Sequence, residues 1–512
     1  MTTPRDSFCI GLLGVSLLLS ALASADAQEP WRFILPEQRC MEVRDPAQLP
    51  RVRFPEMPPP RTVASPNSDV AAQQLSLDDA IRTAIQNTQV VRVLAGVTAV
   101  SSGQTIYDPA ISNTQIDVAR GRFYPQLQVN NNFYRSDQPG VVSTAPPQFS
   151  GNPEHIYDMT AGVAKDTITG GTAAVNVRTT PTRDEFSGLP PSLNPRTPSS
   201  TELSFTQPLL QGAGVQVNTA PIVIARIDTE RSYFQLKDSV QQMVRGVVEA
   251  YWALVQARVA VWARRQQVSQ GQEAFERARD SREAGLGTGA DVAQSRSALE
   301  NFRAALITAE ANLLAREDAL RNLLGLSPSE PTPIIPVTPM TTERVEPRWE
   351  EILELAQERR PDLIELKLIL EADDQRLRIA RNQALPKLNA VALYRWNGLE
   401  GRLPDGTFMR ADPNHFTEWQ LGVNFSVPLG LRKERAGLRQ QELLIMHDRA
   451  NLEQGLHAAA HDLASSLRDL AQYYEQYRAF SASRQAAWLN LDYQMADYRA
   501  GRSTLYLNVL QA

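Results

Sequence analysis

The chain has 512 residues, of which 42% are hydrophobic and 21% charged, and its formal net charge is −5. The near balance of 52 basic and 57 acidic residues disfavours a nucleic-acid-binding protein, because such proteins normally carry a basic excess. Two cysteines, Cys9 and Cys40, exclude a disulfide scaffold and a four-thiolate metal site. Beyond the N-terminus no segment has the roughly 18 apolar residues of a membrane-spanning helix, but strands of about 9–11 residues can also cross a membrane.

The N-terminus predicts a secretory signal peptide over residues 1–27. Arg5 precedes an apolar stretch at residues 10–23, and small residues after it form A-x-A cleavage sites. A membrane anchor is the alternative, but the apolar stretch is shorter than the roughly 20 residues that a spanning helix needs. Cleavage would leave Cys40 as the only cysteine, so an internal disulfide is excluded. The pattern indicates export through the inner membrane of a bacterium.

Proline marks three boundaries along the chain. Residues 28–66 hold nine prolines, residues 136–200 another nine and residues 327–347 six, which together are 24 of the 34. They predict a Pro-rich N-terminal extension over 28–72, a long surface connection, and a linker over 327–347. The segments between them are poor in proline and are therefore free to form long helices.

The segments on either side of the linker resemble each other. Residues 116–120 match 377–381 at an offset of 261, whereas residues 203–209 match 423–429 at an offset of 220. A duplicated unit is the simplest explanation, with repeat 1 over 73–326 and repeat 2 over 348–512. The drop in offset places 41 extra residues between the outer strands of repeat 1.

Short alternating segments predict β-strands in both repeats. In repeat 1 they lie near residues 123–135 and 201–209, and the 41 extra residues predict a hairpin near 157–179 around Gly170 and Gly171. In repeat 2 apolar residues alternate with small or polar ones at Trp419, Leu421, Val423, Phe425 and Val427. Alternation alone fits a soluble sandwich and a lipid-facing strand equally well.

Two stretches of 70 residues, 215–284 and 431–500, predict very long helices. At about 1.5 Å per residue each would reach about 105 Å. Apolar residues recur every seven positions, which is typical of coiled coils: Val240, Val247, Leu254, Val261, Val268, Phe275, then Leu299, Leu306, Leu313, Leu320, and in repeat 2 Leu456, Leu463, Leu470, Tyr477. A glycine-containing turn from Ala284 to Asp291 predicts a helical hairpin over 215–325, with Thr288 or Asp291 capping its second helix.

The residues that could carry chemistry favour simpler structural roles. Residues 285–289 resemble a phosphate-binding loop, but they follow a helix and lack the Gly-Lys-Ser/Thr ending, so they predict a plain turn. His457 and His461 could hold a metal ion, but no Glu or Cys completes a motif, and a solvated or interface pair is expected. No nucleophile–base pairing is recognisable. We therefore expect no catalytic residue, no metal site, no cofactor and no enzyme activity.

With its signal peptide, duplication, paired strands and long helices, the chain over residues 75–512 resembles the TolC family of outer-membrane efflux proteins. The motifs that carry the resemblance are Leu75-Ser76-Leu77-Asp78-Asp79-Ala80-Ile81, Phe123-Tyr124-Pro125-Gln126-Leu127, Phe205-Thr206-Gln207-Pro208-Leu209, Arg359-Arg360-Pro361-Asp362-Leu363 and Phe425-Ser426-Val427-Pro428-Leu429. Each motif is loose by itself, but their order and duplication make the match specific.

The resemblance implies a mainly α protein with a β-barrel part: three chains pool short antiparallel strands into one outer-membrane barrel, and coiled-coil hairpins extend into the periplasm. It implies a passive exit duct of a tripartite efflux pump or type I secretion system. Its partners would be a periplasmic adaptor, an inner-membrane RND, ABC or MFS transporter and outer-membrane lipid. The resemblance assigns the adaptor-contact turns to Ala284, Gly285, Leu286, Ala500, Gly501 and Arg502.

Two further expectations follow. The chain stops 11 residues after Gly501, whereas the returning helix of repeat 1 runs about 40 residues, so the final helix of repeat 2 is expected to be missing. The competing hypothesis is a periplasmic adaptor or other exported coiled-coil scaffold without a barrel. The duplicated strand pairs argue against that scaffold, and the lack of a catalytic site argues against an exported hydrolase.

Overall fold

A computed structural model describes residues 56–64, 72–142, 146, 148–185, 193–412 and 414–500. The predicted signal peptide and most of the Pro-rich extension lie outside these residues, as does the chain after Ala500. The chain divides into two compact units, residues 1–57 and 58–512, and the elements named below all belong to the second.

Seven helices and twelve strands make up the described part of the chain. The helices are α1 Leu77–Gln86, α2 Asp108–Gly121, α3 Val215–Glu283, α4 Gly289–Leu324, α5 Trp349–Arg359, α6 Pro361–Gln383 and α7 Arg432–Arg499. The strands are β1 Gln73–Leu75, β2 Val90–Ala95, β3 Thr98–Thr105, β4 Gln126–Val142, β5 Gln148–Asp166, β6 Thr172–Thr179, β7 Thr182–Asp184, β8 Arg196–Pro208, β9 Ile334–Pro336, β10 Lys387–Arg402, β11 Phe408–Arg410 and β12 Phe416–Ser426. No helix among the described residues is both long and apolar enough to span a membrane.

The two long helices, α3 with 69 residues and α7 with 68, follow the predicted bounds closely. Heptad residues of α3 and of its hairpin partner α4 are buried: Val247, Leu254 and Val261 of α3, and Leu299 and Leu320 of α4. The intrinsic helix propensities of the residues do not by themselves explain helices of nearly 70 residues. For α3 the buried stripe explains the length, because most helix stability in proteins comes from packing an apolar face.

Glycines inside these helices mark points of close approach. A Cβ on Gly246 of α3 would lie 3.0 Å from the Leu94 Cβ, so β2 rests directly on the helix. A Cβ on Gly271 would lie 2.8 Å from the Phe302 ring of α4, and one on Gly455 of α7 would lie 2.7 Å from Leu366 of α6. At these three positions the missing Cβ therefore lets the helices, and β2 on α3, pack closely.

Eight strands form one antiparallel sheet in the order β11-β10-β8-β6-β5-β4, with β12 paired to β10 and β7 bridging β5 and β8. β4 pairs with β5 from Gln126 to Val142, far beyond the predicted end near residue 135. The expected long surface connection over 136–200 is therefore wrong, since β5, β6 and β7 occupy most of it. Pro139, Pro153 and Pro198 lie within strands β4, β5 and β8, so proline does not mark a loop there.

A hairpin of β2 and β3 was not predicted from the sequence. It lies between α1 and α2, where the corresponding part of repeat 2 is the continuous helix α6. Strand β2 contains Val90, Val91 and Val93, and β-branched residues favour strands over helices. The turn at Gly96 has a φ of +65°, which suits glycine.

The core of the unit lies where the start of repeat 1 meets the Pro-rich linker. Strand β1 pairs in parallel with β9 of the linker. The buried Tyr251 of α3 holds both strands, because its hydroxyl donates to the Leu75 carbonyl at 3.0 Å and accepts from the Thr338 N–H at 3.0 Å. Linker and first repeat thus share one hydrophobic cluster. The whole is a mainly α chain with an antiparallel sheet, as predicted.

Candidate channel wall and helical tips

One face of the large sheet is apolar across six strands. Cross-strand pairing places six side chains in a single row, running through β4, β5, β6, β8, β10 and β12: Leu127, Val163, Val175, Leu203, Tyr394, Trp419. All six are exposed. An exposed apolar row of this width is unusual on a surface that faces water.

Neighbouring rows extend this apolar face along the strands. The row farther from the helices is Val129, Ala161, Val177, Thr201, Trp396, Thr417, and the row nearer the helices contains Lys165, Ala173, Phe205, Ala392, Leu421. On β12 the apolar side chains recur from Trp419 to Phe425, about 20 Å at about 3.4 Å per residue. This approaches the apolar band of about 25 Å that membrane barrels present to lipid.

The opposite face is polar and carries paired charges. Its central row is Gln128, Gly162, Asn176, Glu202, Arg395, Glu418. Arg395 donates to Glu202 at 2.6 Å and to Glu418 at 3.1 Å, which links three strands. Arg178 donates to Asp158 at 2.8 Å one strand pair away. This face therefore suits an aqueous environment. The sheet thus has one apolar face and one polar face.

The turn between α3 and α4 forms the tip of the first helical hairpin. Gly285 has a φ of +76°, and the N–H groups of Leu286 and Gly287 donate to the Ser281 carbonyl at 2.8 and 3.1 Å. These bonds satisfy the end of α3 in the manner of a glycine C-cap. The side chain of Leu286 is 85% exposed and lies free of the hairpin. The tip thus presents an exposed apolar side chain on a hydrogen-bonded turn.

A capping box fixes the start of α4 beside this tip. Thr288 accepts the Asp291 N–H at 3.2 Å, and Asp291 accepts the Thr288 N–H at 2.9 Å. Both residues that the sequence offered as caps therefore act together. The hydrogen bond from the Thr288 hydroxyl and then that from its N–H lower the pKa of Asp291 below its usual value. The carboxylate form thus stabilises the turn at neutral pH.

The second predicted tip is only partly within the described residues. Ala500 directly follows the end of α7, and its N–H donates to the Ala496 carbonyl at 3.0 Å. Gly501 and Arg502 lie outside the described residues, so the geometry of that turn is not specified. Ala284, Gly285 and Leu286 are adjacent at the first tip, and their assignment as adaptor contacts stays a prediction.

A cluster of polar residues lies at the seam between α6 and α7. Asp373 is buried, and it accepts from Arg376 at 2.9 Å and from Gln441 at 3.3 Å. Burial, reinforced by the carboxyl group of Asp448, raises the pKa of Asp373. Burial also acts to raise the pKa of Asp448, but hydrogen bonds from His447, Asp373 and Asn451 outweigh it and lower that pKa. Asp448 therefore ionises at lower pH than Asp373.

Neither histidines nor glycine-rich loops form a recognisable reaction centre. The rings of His457 and His461 lie 4.5 Å apart on the exposed side of α7. Within the described part of the chain no group of three or more His, Cys, Asp or Glu side chains is arranged to hold a metal ion. Residues 285–289 form the helical turn. Gly212 and Gly214, both with positive φ, form the bend from β8 into α3.

Sequence reasoning missed two charge networks. The polar row through Glu202, Arg395 and Glu418 was detectable in principle, since each charge sits at the strand position opposite to the apolar stripe. In α4 the buried Arg321 donates to the buried Glu317 at 2.9 Å. Arg61, which lies 256 residues before Glu317, donates to the same carboxylate. No local sequence pattern predicts such a long-range ion pair.

Comparisons with known proteins agree with this geometry. The family model described as outer membrane efflux protein matches residues 175–326 and 352–512. No curated protein sequence matches the chain. Among solved structures, a membrane protein from Pseudomonas aeruginosa is similar with a TM-score of 0.58 at 16% identity, covering 89% of this chain and 92% of the other.

Two further solved structures resemble the chain. The CmeC outer membrane channel of Campylobacter jejuni has a TM-score of 0.55 at 13% identity, covering 90% of this chain and 88% of its own. The open state of the MtrE outer membrane channel of Neisseria gonorrhoeae has a TM-score of 0.52 at 16% identity, covering 89% and 91%. At these identities the structures establish the fold. The family model matches more than half of the chain, and the chain therefore belongs to the outer membrane efflux protein family, the TolC family that its motifs indicate.

Proposed function

We propose that three copies of the chain form the exit duct of a tripartite efflux pump or a type I secretion system. The two-sided sheet carries the proposal. Its polar face, with the Glu202–Arg395–Glu418 row, would line a water-filled lumen, and its apolar face would contact outer-membrane lipid. Transport through this duct would be passive, with no catalysis and no cofactor supplied by the chain.

Strand edges support a homotrimer. Among the residues that the structure describes, β4 pairs only with β5 and β12 only with β10, so both present unpaired backbone groups along one side. In lipid each unpaired N–H or C=O would cost several kcal/mol, because no water is there to replace the missing hydrogen bond. Pairing β12 of one copy with β4 of the next removes both edges. The family relationship favours closure with three copies.

The helices would then extend from the membrane into the periplasm. Each strand-to-helix junction lies at the same end of the sheet, as the bends at Gly214 and Gly430 indicate. At about 1.5 Å per residue, the 69 residues of α3 reach about 100 Å from that junction. The tips at Ala284, Gly285 and Leu286, and at Ala500, Gly501 and Arg502, would contact a periplasmic adaptor. The adaptor would couple the duct to an inner-membrane RND, ABC or MFS transporter.

Membrane fractionation and single-channel recording test the duct. We expect the protein in the outer-membrane fraction, as a complex three times the chain mass that dissociates on heating. In planar bilayers the purified complex should give discrete conductance steps. A monomer recovered from the soluble periplasm, without conductance, would contradict the proposal and would favour the exported-scaffold alternative.

Substitution of Leu286 tests the docking role of the first tip. Leu286→Glu alters an exposed side chain, so we expect normal trimer formation but reduced drug export and reduced crosslinking to the adaptor. The control is Leu355→Glu on α5, which is also exposed but lies far from the tips. Gly285→Pro is less informative, since proline cannot adopt the positive φ of this turn and would disturb folding as well. Equal export by both glutamate variants would remove the tip from the proposed docking surface.

A further inference from the structure

A hollow of about 720 Å³ interrupts the apolar face of the sheet. It lies where Ala173 and Ala392 stand in register with the larger Phe205 and Leu421, so two small side chains leave a depression between bulky ones. Tyr394 and Trp419, paired in the next row, border it. The volume falls within the range of about 300–1,000 Å³ that is usual for ligand pockets.

Lys165 is the one charged side chain that lines this hollow. It is exposed and stands in register with Ala173. Within the described residues its ammonium group makes no hydrogen bond or ion pair, whereas Arg178 and Arg395 on the polar face are both paired with carboxylates. An unpaired cation beside an apolar hollow matches an amphiphile with an anionic head.

The position of Lys165 fixes the end of the hollow at which that head would lie. Lys165 is two residues from the turn between β5 and β6, and in that turn the Thr169 carbonyl accepts the Gly214 N–H at 3.1 Å. Gly214 immediately precedes α3, so Lys165 lies at the helix end of the sheet. In the proposed orientation this is the periplasmic end.

We propose that the hollow binds one phospholipid of the periplasmic leaflet, with an acyl chain across Ala173 and Ala392 and the phosphate on Lys165. The inference rests on the proposed outer-membrane function. A second copy of the chain suits the site less well, since the free strand edges for pairing are β4 and β12, while the hollow spans the central strands. Lysine side chains reach the headgroup level readily, and one such cation favours an anionic lipid about fivefold.

Quenching of tryptophan fluorescence by brominated lipids tests the site. The trimer would be reconstituted in vesicles of phosphatidylethanolamine with added brominated phosphatidylglycerol, or with added brominated phosphatidylethanolamine. The chain has seven tryptophans, and subtraction of the Trp419→Phe signal isolates the residue at the hollow. We expect phosphatidylglycerol to quench Trp419 at about one fifth of the concentration that phosphatidylethanolamine needs.

Matched variants separate the charge from the hollow. Lys165→Gln should abolish the preference for phosphatidylglycerol, while Lys387→Gln, which changes an exposed lysine on the polar face, should keep it. Ala392→Leu should fill the hollow and weaken quenching by both lipids. Unchanged preference in Lys165→Gln, or unchanged quenching in Ala392→Leu, would overturn the lipid site alone. No quenching by either lipid in any protein would instead contradict the outer-membrane placement on which the site rests.

Discussion

Helices α3 and α7 have nearly equal length and the same heptad pattern, yet they are packed very differently. Twelve residues of α3 are buried, against α2, α4, α6 and the β2–β3 hairpin. Among the described residues of α7 only Ile445 and Ala459 are buried, and α7 packs on α6 and α5. Tyr473, Phe480 and Trp488 of α7 are exposed. A heptad pattern therefore predicts which face of a helix is available for packing. Whether another helix of the same chain covers that face depends on the tertiary structure.

The largest effect expected from this contrast comes from truncating equivalent heptad leucines. Leu254→Ala in α3 opens a cavity in a fully buried site and should lower the free energy of unfolding by about 2–5 kcal/mol. Leu470→Ala in α7 removes a side chain that is exposed in the single chain and should change it by less than about 0.5 kcal/mol. Denaturation of the detergent-solubilised monomer, followed by circular dichroism, measures both.

In the proposed trimer the two leucines are expected to differ in a second way. If other copies cover the α7 stripe, Leu470→Ala should lower the temperature at which the heated trimer dissociates, although the monomer is unaffected. A trimer that dissociates at the unaltered temperature would show that Leu470 faces water or the lumen in the assembly.

Much of the helical architecture could be predicted because it depends on local periodicity. The bounds of α3 and the capping pair Thr288–Asp291 follow from spacing along one segment. The length of β4 could not, because residues beyond 135 are strand only through their pairing with β5. Long-range contacts such as that of Arg61 with Glu317 cannot be predicted from the sequence around either residue.

The candidate site divides in the same way. The alternation of apolar and polar residues predicted the apolar face of β12. The glycine-containing turn predicted the tip at Gly285. The polar row through Glu202, Arg395 and Glu418 required the register of three strands, and a shift of one residue would place these charges on the apolar face. Register is set by tertiary pairing, so sequence spacing indicates the faces of single strands but not their assembly.

A second prediction compares glycines of the two helices. Gly246→Ala in α3 places a Cβ 3.0 Å from the Leu94 Cβ and 3.1 Å from the Leu94 backbone nitrogen, so β2 must move. We expect destabilisation by about 1–3 kcal/mol. Gly437→Ala in α7 meets no atom within 4 Å and should stabilise the helix by about 0.5–1 kcal/mol. Thermal unfolding checks the opposite signs, and a gain in both variants would exclude close packing of β2 on α3.

The third prediction concerns the seam through which α7 contacts α6. The pKa of Asp373 is raised in the folded state, so its contribution to stability is full below the unfolded pKa of about 3.9 and is lost as pH rises through the folded pKa. Asp373→Asn mimics the protonated acid and can still accept from Arg376. It should therefore raise the thermal midpoint at neutral pH and flatten its dependence on pH there.

Asp448→Asn is the control at the same seam. Its pKa is lowered in the folded state, so the wild-type carboxylate stabilises the protein above its unfolded pKa and loses that effect as pH falls. This substitution should reduce the midpoint at neutral pH. A reduced midpoint in both variants would contradict the opposite pKa shifts of the two carboxyl groups.

The smallest effect is expected at the tip, where α4 begins without tertiary packing. Thr288→Ala removes the acceptor for the Asp291 N–H and with it the capping box. Because the exposed tip contributes little to global unfolding, the expected result is local: faster hydrogen exchange of the first turn of α4, with an unchanged thermal midpoint. The matched control is Thr308→Ala, whose hydroxyl bonds the Ala304 carbonyl within the helix and caps nothing. If exchange rises equally in both variants, the capping box does not stabilise the first turn of α4 and does not fix the position of Leu286.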